Sequence, residues 1–143
     1  VEVLNEQKKT GTITLTHPDM TRFWITLSQG VDMVLGALTR MRGGEIFLPK
    51  LSAMKITDLM QALAPDCKIR MIGIRPGEKL HEVLMTDDEV RRARDAGDYY
   101  IVEPQQDWWN EEHVKDSPRV APDFRYGSDC VAKLAKEDFL RLL

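Results

Sequence analysis

A mixed α/β domain of short strands and short helices is the fold class that these 143 residues predict. Three observations carry it. Apolar residues recur at helical spacing behind capping patterns, other short stretches alternate or run apolar as strands do, and Gly or Pro closes most of them. The length suits one domain with a real core. The first element is Thr12 to Thr16, where apolar and polar residues alternate, and His17-Pro18-Asp19 turns the chain after it. Thr26-Leu27-Ser28-Gln29 has the capping-box pattern. Leu27, Val31, Val34, Leu35 and Leu38 then mark one helix face, and Gly43-Gly44 ends that helix.

Glu45 to Leu48 reads as a strand closed by Pro49. Ile56, Leu59, Met60 and Leu63 mark a second amphipathic helix stopped by Pro65, its N-cap lying at Ser52 or later. Lys68 to Ile74 is the next strand. The charged residues 87–95 read as a surface helix, and Asp98 to Val102 as a strand. Residues 104–123 form a long irregular loop, followed by a short strand at Phe124 to Tyr126. A last helix runs from Lys136 to Leu143 with Phe139, Leu140 and Leu143 inward. Repeats and low-complexity tracts are absent.

Composition narrows the function classes. The chain is 43% hydrophobic and 30% charged, as soluble globular proteins are. A net charge of -3 and a pI near 5.6 argue against nucleic-acid binding, which favours a basic stripe. No apolar run approaches the roughly 20 residues that span a bilayer. Cys67 and Cys130 stand far apart, which fits a reducing cytoplasm better than a disulfide framework. Val1-Glu2-Val3-Leu4 has neither an initiator Met nor a signal-peptide layout, so it reads as a cut inside a longer chain.

The chemically richest stretch is Gly73 to Glu82. An apolar run leads into Arg75-Pro76-Gly77-Glu78-Lys79, which sets a guanidinium, a carboxylate and an ammonium at the mouth of a strand. Arg offers a planar fork of donors that suits phosphate oxygens. Pro76 fixes one backbone angle and Gly77 opens conformations closed to other residues. Glu78 can accept hydrogen bonds from a sugar diol. A phosphate-and-ribose clamp and a plain charged surface turn fit the spacing equally well. Arg22 precedes a capped helix beside two aromatics, and helix N-termini favour anions. Its two readings are a second phosphate ligand beside Arg75 and an Arg packed on Trp24.

Other candidates carry less. Trp108-Trp109 reads as a pin for the long loop before it reads as a base-stacking pair. Lys50 and Lys55 flank a strand-to-helix turn that reads as a solvated turn before it reads as a phosphate-side loop. His17, His81 and His113 are scattered, and position 85, where a second zinc ligand after His81-Glu82 belongs, is Met85. A metal site is therefore not expected. There is no Gly-x-Gly-x-x-Gly and no Tyr-x-x-x-Lys.

Five ordered stretches make the chain resemble the C-terminal part of the inverting UDP-N-acetylglucosamine 4,6-dehydratases, which are extended short-chain dehydrogenase/reductases. They are Met20 to Thr26, Gly43 to Lys50, Met54 to Leu59, Gly73 to Glu82 and Val120 to Phe124. Ala53 and Leu48 depart from the usual Ser and Val there. The resemblance implies a C-terminal nucleotide-sugar-binding domain over residues 1–143, without the Rossmann domain, and with its natural C-terminus. It implies that Arg22 and Arg75 bind the diphosphate of a UDP-sugar and Glu78 the uridine ribose. NADP and the catalytic residues belong to the absent Rossmann part, so no catalytic residue and no cofactor are expected here. The parent reaction so implied oxidises the sugar at C4, eliminates water across C5 and C6, and reduces C6 with inversion at C5. The apolar face that meets the Rossmann half implies, when bare, a homo-oligomer or an interaction module.

Overall fold

Four small sheets, not one, organise the chain in the computed structural model, which describes residues 2–142. Helix α1 (Glu2–Lys8) leads into strand β1 (Thr12–Leu15), which pairs in parallel with β5 (Lys68–Met71). Strand β2 (Thr21–Trp24) pairs antiparallel with β4 (Ser52–Lys55), Arg22 opposite Met54. Strands β3 (Ile46–Pro49), β8 (Tyr99–Val102) and β7 (Ala93–Asp95) form an antiparallel sheet in that order. The fourth sheet pairs β6 (Val83–Met85) with β9 (Tyr126–Gly127). Helices α2 (Leu27–Arg40), α3 (Ile56–Leu63), α4 (Asp87–Val90) and α5 (Lys136–Arg141) complete the order.

Each sheet is small because each alternating stretch is short, and packing between sheets supplies the core. Ile13 and Leu15 of β1 bury against Met60 and Ala64 on and beside α3. Met54 and Leu59 bury with Phe139 of α5, whose ring meets Trp24 edge-on at 5.0 Å. Met85, Val90, Ala93, Val102 and Tyr126 form the third cluster. The Tyr126 hydroxyl sits where the Pro49-to-Ser52 connection bends. It donates to the Pro49 carbonyl and accepts from Leu51 N–H at 2.7 Å. Burial raises the Tyr126 phenol above its ordinary value.

The structure revises several sequence expectations. The capping box at Thr26 is present, but α2 ends at Arg40, three residues before Gly43. Gly43 and Gly44 instead carry positive φ values of 121° and 86° in the turn that follows. Residues 87–95 are not one helix. Thr86 and Glu89 cap a single turn, and Ala93 and Arg94 then pair with Val102 and Ile101. Sheet pairing and the buried Arg94–Glu103 ion pair override local helix preference there. Residues 52–55 are strand β4 where a turn was expected, and the strand expected at Phe124 to Tyr126 lies at Tyr126–Gly127. In α5, Phe139 is buried and Leu140 is exposed, while Leu143 lies outside the described residues.

The 104–123 loop is pinned at both ends. Arg119 joins Arg94 on the buried Glu103 carboxylate, at 2.9 Å. At the other end Gly44 takes the pin: a methyl group there would lie 3.1 Å from Pro104 and 3.2 Å from the Trp108 ring. Gly44→Ala adds that contact to a left-handed backbone, so it should cost about 1–2 kcal/mol in urea unfolding. Tyr126→Phe should cost about 1–3 kcal/mol, because Leu51 N–H loses its acceptor. Since the folded pKa of Tyr126 is raised, its stabilisation is complete below the ordinary pH 10.0 and is lost as pH rises from there through the folded value. Alkaline unfolding curves of Tyr126→Phe should show a smaller decline than those of the native chain.

Candidate functional site

The turn Arg75-Pro76-Gly77-Glu78 closes on itself by local rules. Glu78 N–H donates to the Arg75 carbonyl at 3.0 Å, and Gly77 has φ +80°. Pro second and a left-handed Gly third is the type II pattern, so these two residues set the bend. The Glu78 carboxylate folds back across it. One oxygen accepts from Arg75 N–H at 3.1 Å and the other from the Thr16 hydroxyl at 3.2 Å. Thr16 thus ties the turn to the end of β1. A carboxylate has about four acceptor positions, so Glu78 keeps capacity for a ligand hydroxyl.

Arg22 reaches the same segment from β2. Its guanidinium donates to the carbonyls of Thr21 at 2.7 Å, Leu80 at 3.2 Å and Lys79 at 2.8 Å. Its Nε lies 3.4 Å from the Glu82 carboxylate. Of its five N–H donors these partners engage four. It does not stack on Trp24, which packs on Phe139 instead. Arg75 is the converse. Its side chain is exposed and makes no hydrogen bond or ion pair among the described residues.

Arg22, Arg75 and Glu78 line one cleft of about 310 Å³ between β1, β2, α3 and the turn, with Leu15 and Met60 among its apolar walls. A strand and a turn far apart in the chain are therefore brought together on one opening. The other candidates lie elsewhere. Lys50 pairs with Asp95 at 2.6 Å, and Lys55 with Asp19 at 3.5 Å. The N-terminus of α2 does not join the cleft: Thr26 and Leu27 line an apolar groove along α2. Trp108 packs at Gly44, and Trp109 meets His113 edge-on. Cys67 and Cys130 are free thiols.

Sequence reasoning missed Thr16 and the hydroxyls of Thr21 and Ser128. Thr21 Oγ1 lies 2.6 Å from Ser128 Oγ and 2.8 Å from His81 Nδ1. Thr16 had a visible signal, since it ends the alternating stretch before a turn. Thr21 and Ser128 had none, because 107 positions separate them. Among the described residues no group of His, Cys, Asp and Glu is arranged to hold a metal ion. Among them, too, no helix is long and apolar enough to cross a membrane.

Known proteins resemble this chain over most of its length. Residues 1–104 match the family described as polysaccharide biosynthesis protein. A UDP-N-acetylglucosamine 4,6-dehydratase (inverting) of Campylobacter jejuni is 41% identical over 122 residues, 80% of this chain and 36% of that protein. A UDP-glucose 4-epimerase of Rickettsia canadensis is 41% identical over 103 residues, 69% of this chain and 30% of that protein. Among solved structures, Pen from Bacillus thuringiensis superposes with a TM-score of 0.81 at 29% identity, over 99% of this chain and 42% of that one. The chain thus spans well under half the length of the curated relatives it matches. With most of its residues, Arg22, Arg75 and Glu78 included, inside the matched range, the chain belongs to the polysaccharide biosynthesis protein family.

Proposed function

We propose that this chain is the nucleotide-sugar-binding part of a 4,6-dehydratase of UDP-N-acetylglucosamine, and that it holds the UDP portion in the cleft of Arg22, Arg75 and Glu78. One observation carries the reading: the Arg75 guanidinium lacks a protein partner among the described residues and lines the same cleft as Arg22 and Glu78. A diphosphate supplies the anionic oxygens such a fork is shaped for. Arg22 contributes fixed positive charge and one remaining N–H, while its other donors hold the turn. Glu78 takes the ribose diol. The two enzyme names above share UDP and differ in the sugar, so the nucleotide is what this cleft is assigned. The residues here do not fit a dinucleotide, having no Gly-x-Gly-x-x-Gly, and no Tyr-x-x-x-Lys is present for catalysis. On this reading NADP and the reacting groups belong to the length that the relatives have and this chain does not span.

Calorimetry tests this directly. UDP and UDP-N-acetylglucosamine should both bind weakly, and Arg75→Ala should weaken UDP binding about tenfold or more, the size of a lost charge-assisted hydrogen bond. Equal heats from the native chain and Arg75→Ala contradict the clamp.

A second reading, a self-associating interaction module, is favoured by α2. Its apolar stripe points away from the body: Leu27 is 87% exposed, Val34 60% and Leu38 61%, and the helix buries no residue. The opposite side, with Asp32, Gly36 and Arg40, faces a cleft of about 520 Å³ against β3 and β8. A stripe of this kind calls for a partner surface. Light scattering at micromolar concentration should show a dimer or larger species that Val34→Glu shifts toward monomer. A clean monomer of the native chain contradicts this reading.

A further inference from the structure

We propose that Ser128 is a positioning residue for the arm that carries Arg75 and Glu78, contributed from beyond residues 1–104, the range that the family match covers. Ser128 follows β9 and is fully buried. It holds Glu82 twice: its own N–H donates to the Glu82 carbonyl at 2.8 Å, and its Oγ accepts from Glu82 N–H at 2.9 Å. The same hydroxyl donates to the Thr21 carbonyl at 3.2 Å and touches Thr21 Oγ1 at 2.6 Å. Thr21, itself 2% exposed, in turn contacts His81 Nδ1 at 2.8 Å and donates its N–H to the Leu80 carbonyl at 3.1 Å.

Residues 80–82 are thus gripped from two sides. Thr21 and Arg22 hold them from β2, and Ser128 holds them from the C-terminal segment. Four residues earlier the arm carries Glu78, and three before that Arg75. Lys133 secures the grip from behind, donating to the carbonyls of Ser128 at 2.6 Å and Asp129 at 2.9 Å. The Ser128 hydroxyl satisfies the part-buried Glu82 N–H, and a backbone N–H left there without an acceptor is costly. The consequence for the site is specific. Among the described residues the Arg75 side chain has no protein partner to orient it, so its place over the cleft depends on how firmly residues 80–82, together with the Thr16–Glu78 contact, anchor the arm.

The role rests on the UDP reading for its purpose but not for its mechanics, so the test reads both. Ser128→Ala and Thr21→Val remove hydroxyls at nearly constant shape, while Thr21→Ser keeps one. Hydrogen exchange should accelerate about tenfold in residues 73–82 of Ser128→Ala and Thr21→Val, with β3, β7 and β8 unchanged and Thr21→Ser close to native. UDP affinity by calorimetry should fall about tenfold in the same two variants. Exchange in residues 73–82 that stays native, or that rises equally in all strands, overturns the positioning role. So does unaltered UDP affinity where the native chain binds UDP. If the native chain releases no heat with UDP while exchange in residues 73–82 responds selectively, the nucleotide reading fails and the positioning of the arm stands.

Discussion

The structure depends most on the way Arg22 is occupied. A guanidinium on a short strand gathers three backbone carbonyls and one carboxylate, and two of those carbonyls belong to a segment nearly sixty residues away. Beyond Ile72, whose N–H donates to the Leu15 carbonyl, the mostly exposed stretch to Leu80 is tied by Thr16 at Glu78 and by the carbonyls that Arg22 gathers at Lys79 and Leu80. A lysine could not replace Arg22 in this role, because one ammonium cannot span carbonyls arrayed around a planar fork. The same constraint sets the electrostatics of the cleft. The charge of Arg22 is fixed in the wall and partly balanced by Glu82, while that of Arg75 is left to the opening.

How much of this was legible depends on distance along the chain. The bend at Arg75-Pro76-Gly77-Glu78 was readable because Pro and Gly dictate it locally, and the structure shows the expected left-handed Gly77. The helix behind Thr26 was readable for the same reason: its capping box is a contact between residues three apart. The strand β2 was not readable. Thr21 to Trp24 alternates poorly, and its identity comes from pairing with β4, itself taken for a turn. Residues 87–95 show the opposite error: their charge suggests a surface helix, but a single turn capped by Thr86 forms before sheet pairing takes over. The site divides along the same line. Arg75 and Glu78 were local, whereas the partners of Arg22 and the grip of Ser128 are long-range contacts between unremarkable residues.

Helix α2 shows why amphipathic periodicity alone did not place an element. The spacing of Leu27, Val31, Val34, Leu35 and Leu38 correctly gave a helix with one apolar face. Periodicity fixes the face but not its direction, and here the face is turned to the outside while a mixed side with Asp32, Met33, Gly36, Ala37 and Arg40 faces the body. An outward stripe fits a chain that spans a minor part of its curated relatives' length. The self-association reading draws on this arrangement, whereas the UDP reading uses the separate cleft beside β1.

The most direct test of the central claim is where UDP perturbs the chain. Amide chemical shifts recorded during a UDP titration should move together at Thr14 to Thr16, at Arg22 and across Gly73 to Lys79, the residues around the cleft. Shifts confined to α2, or a spectrum unmoved by UDP, would contradict the assignment of that cleft to the nucleotide.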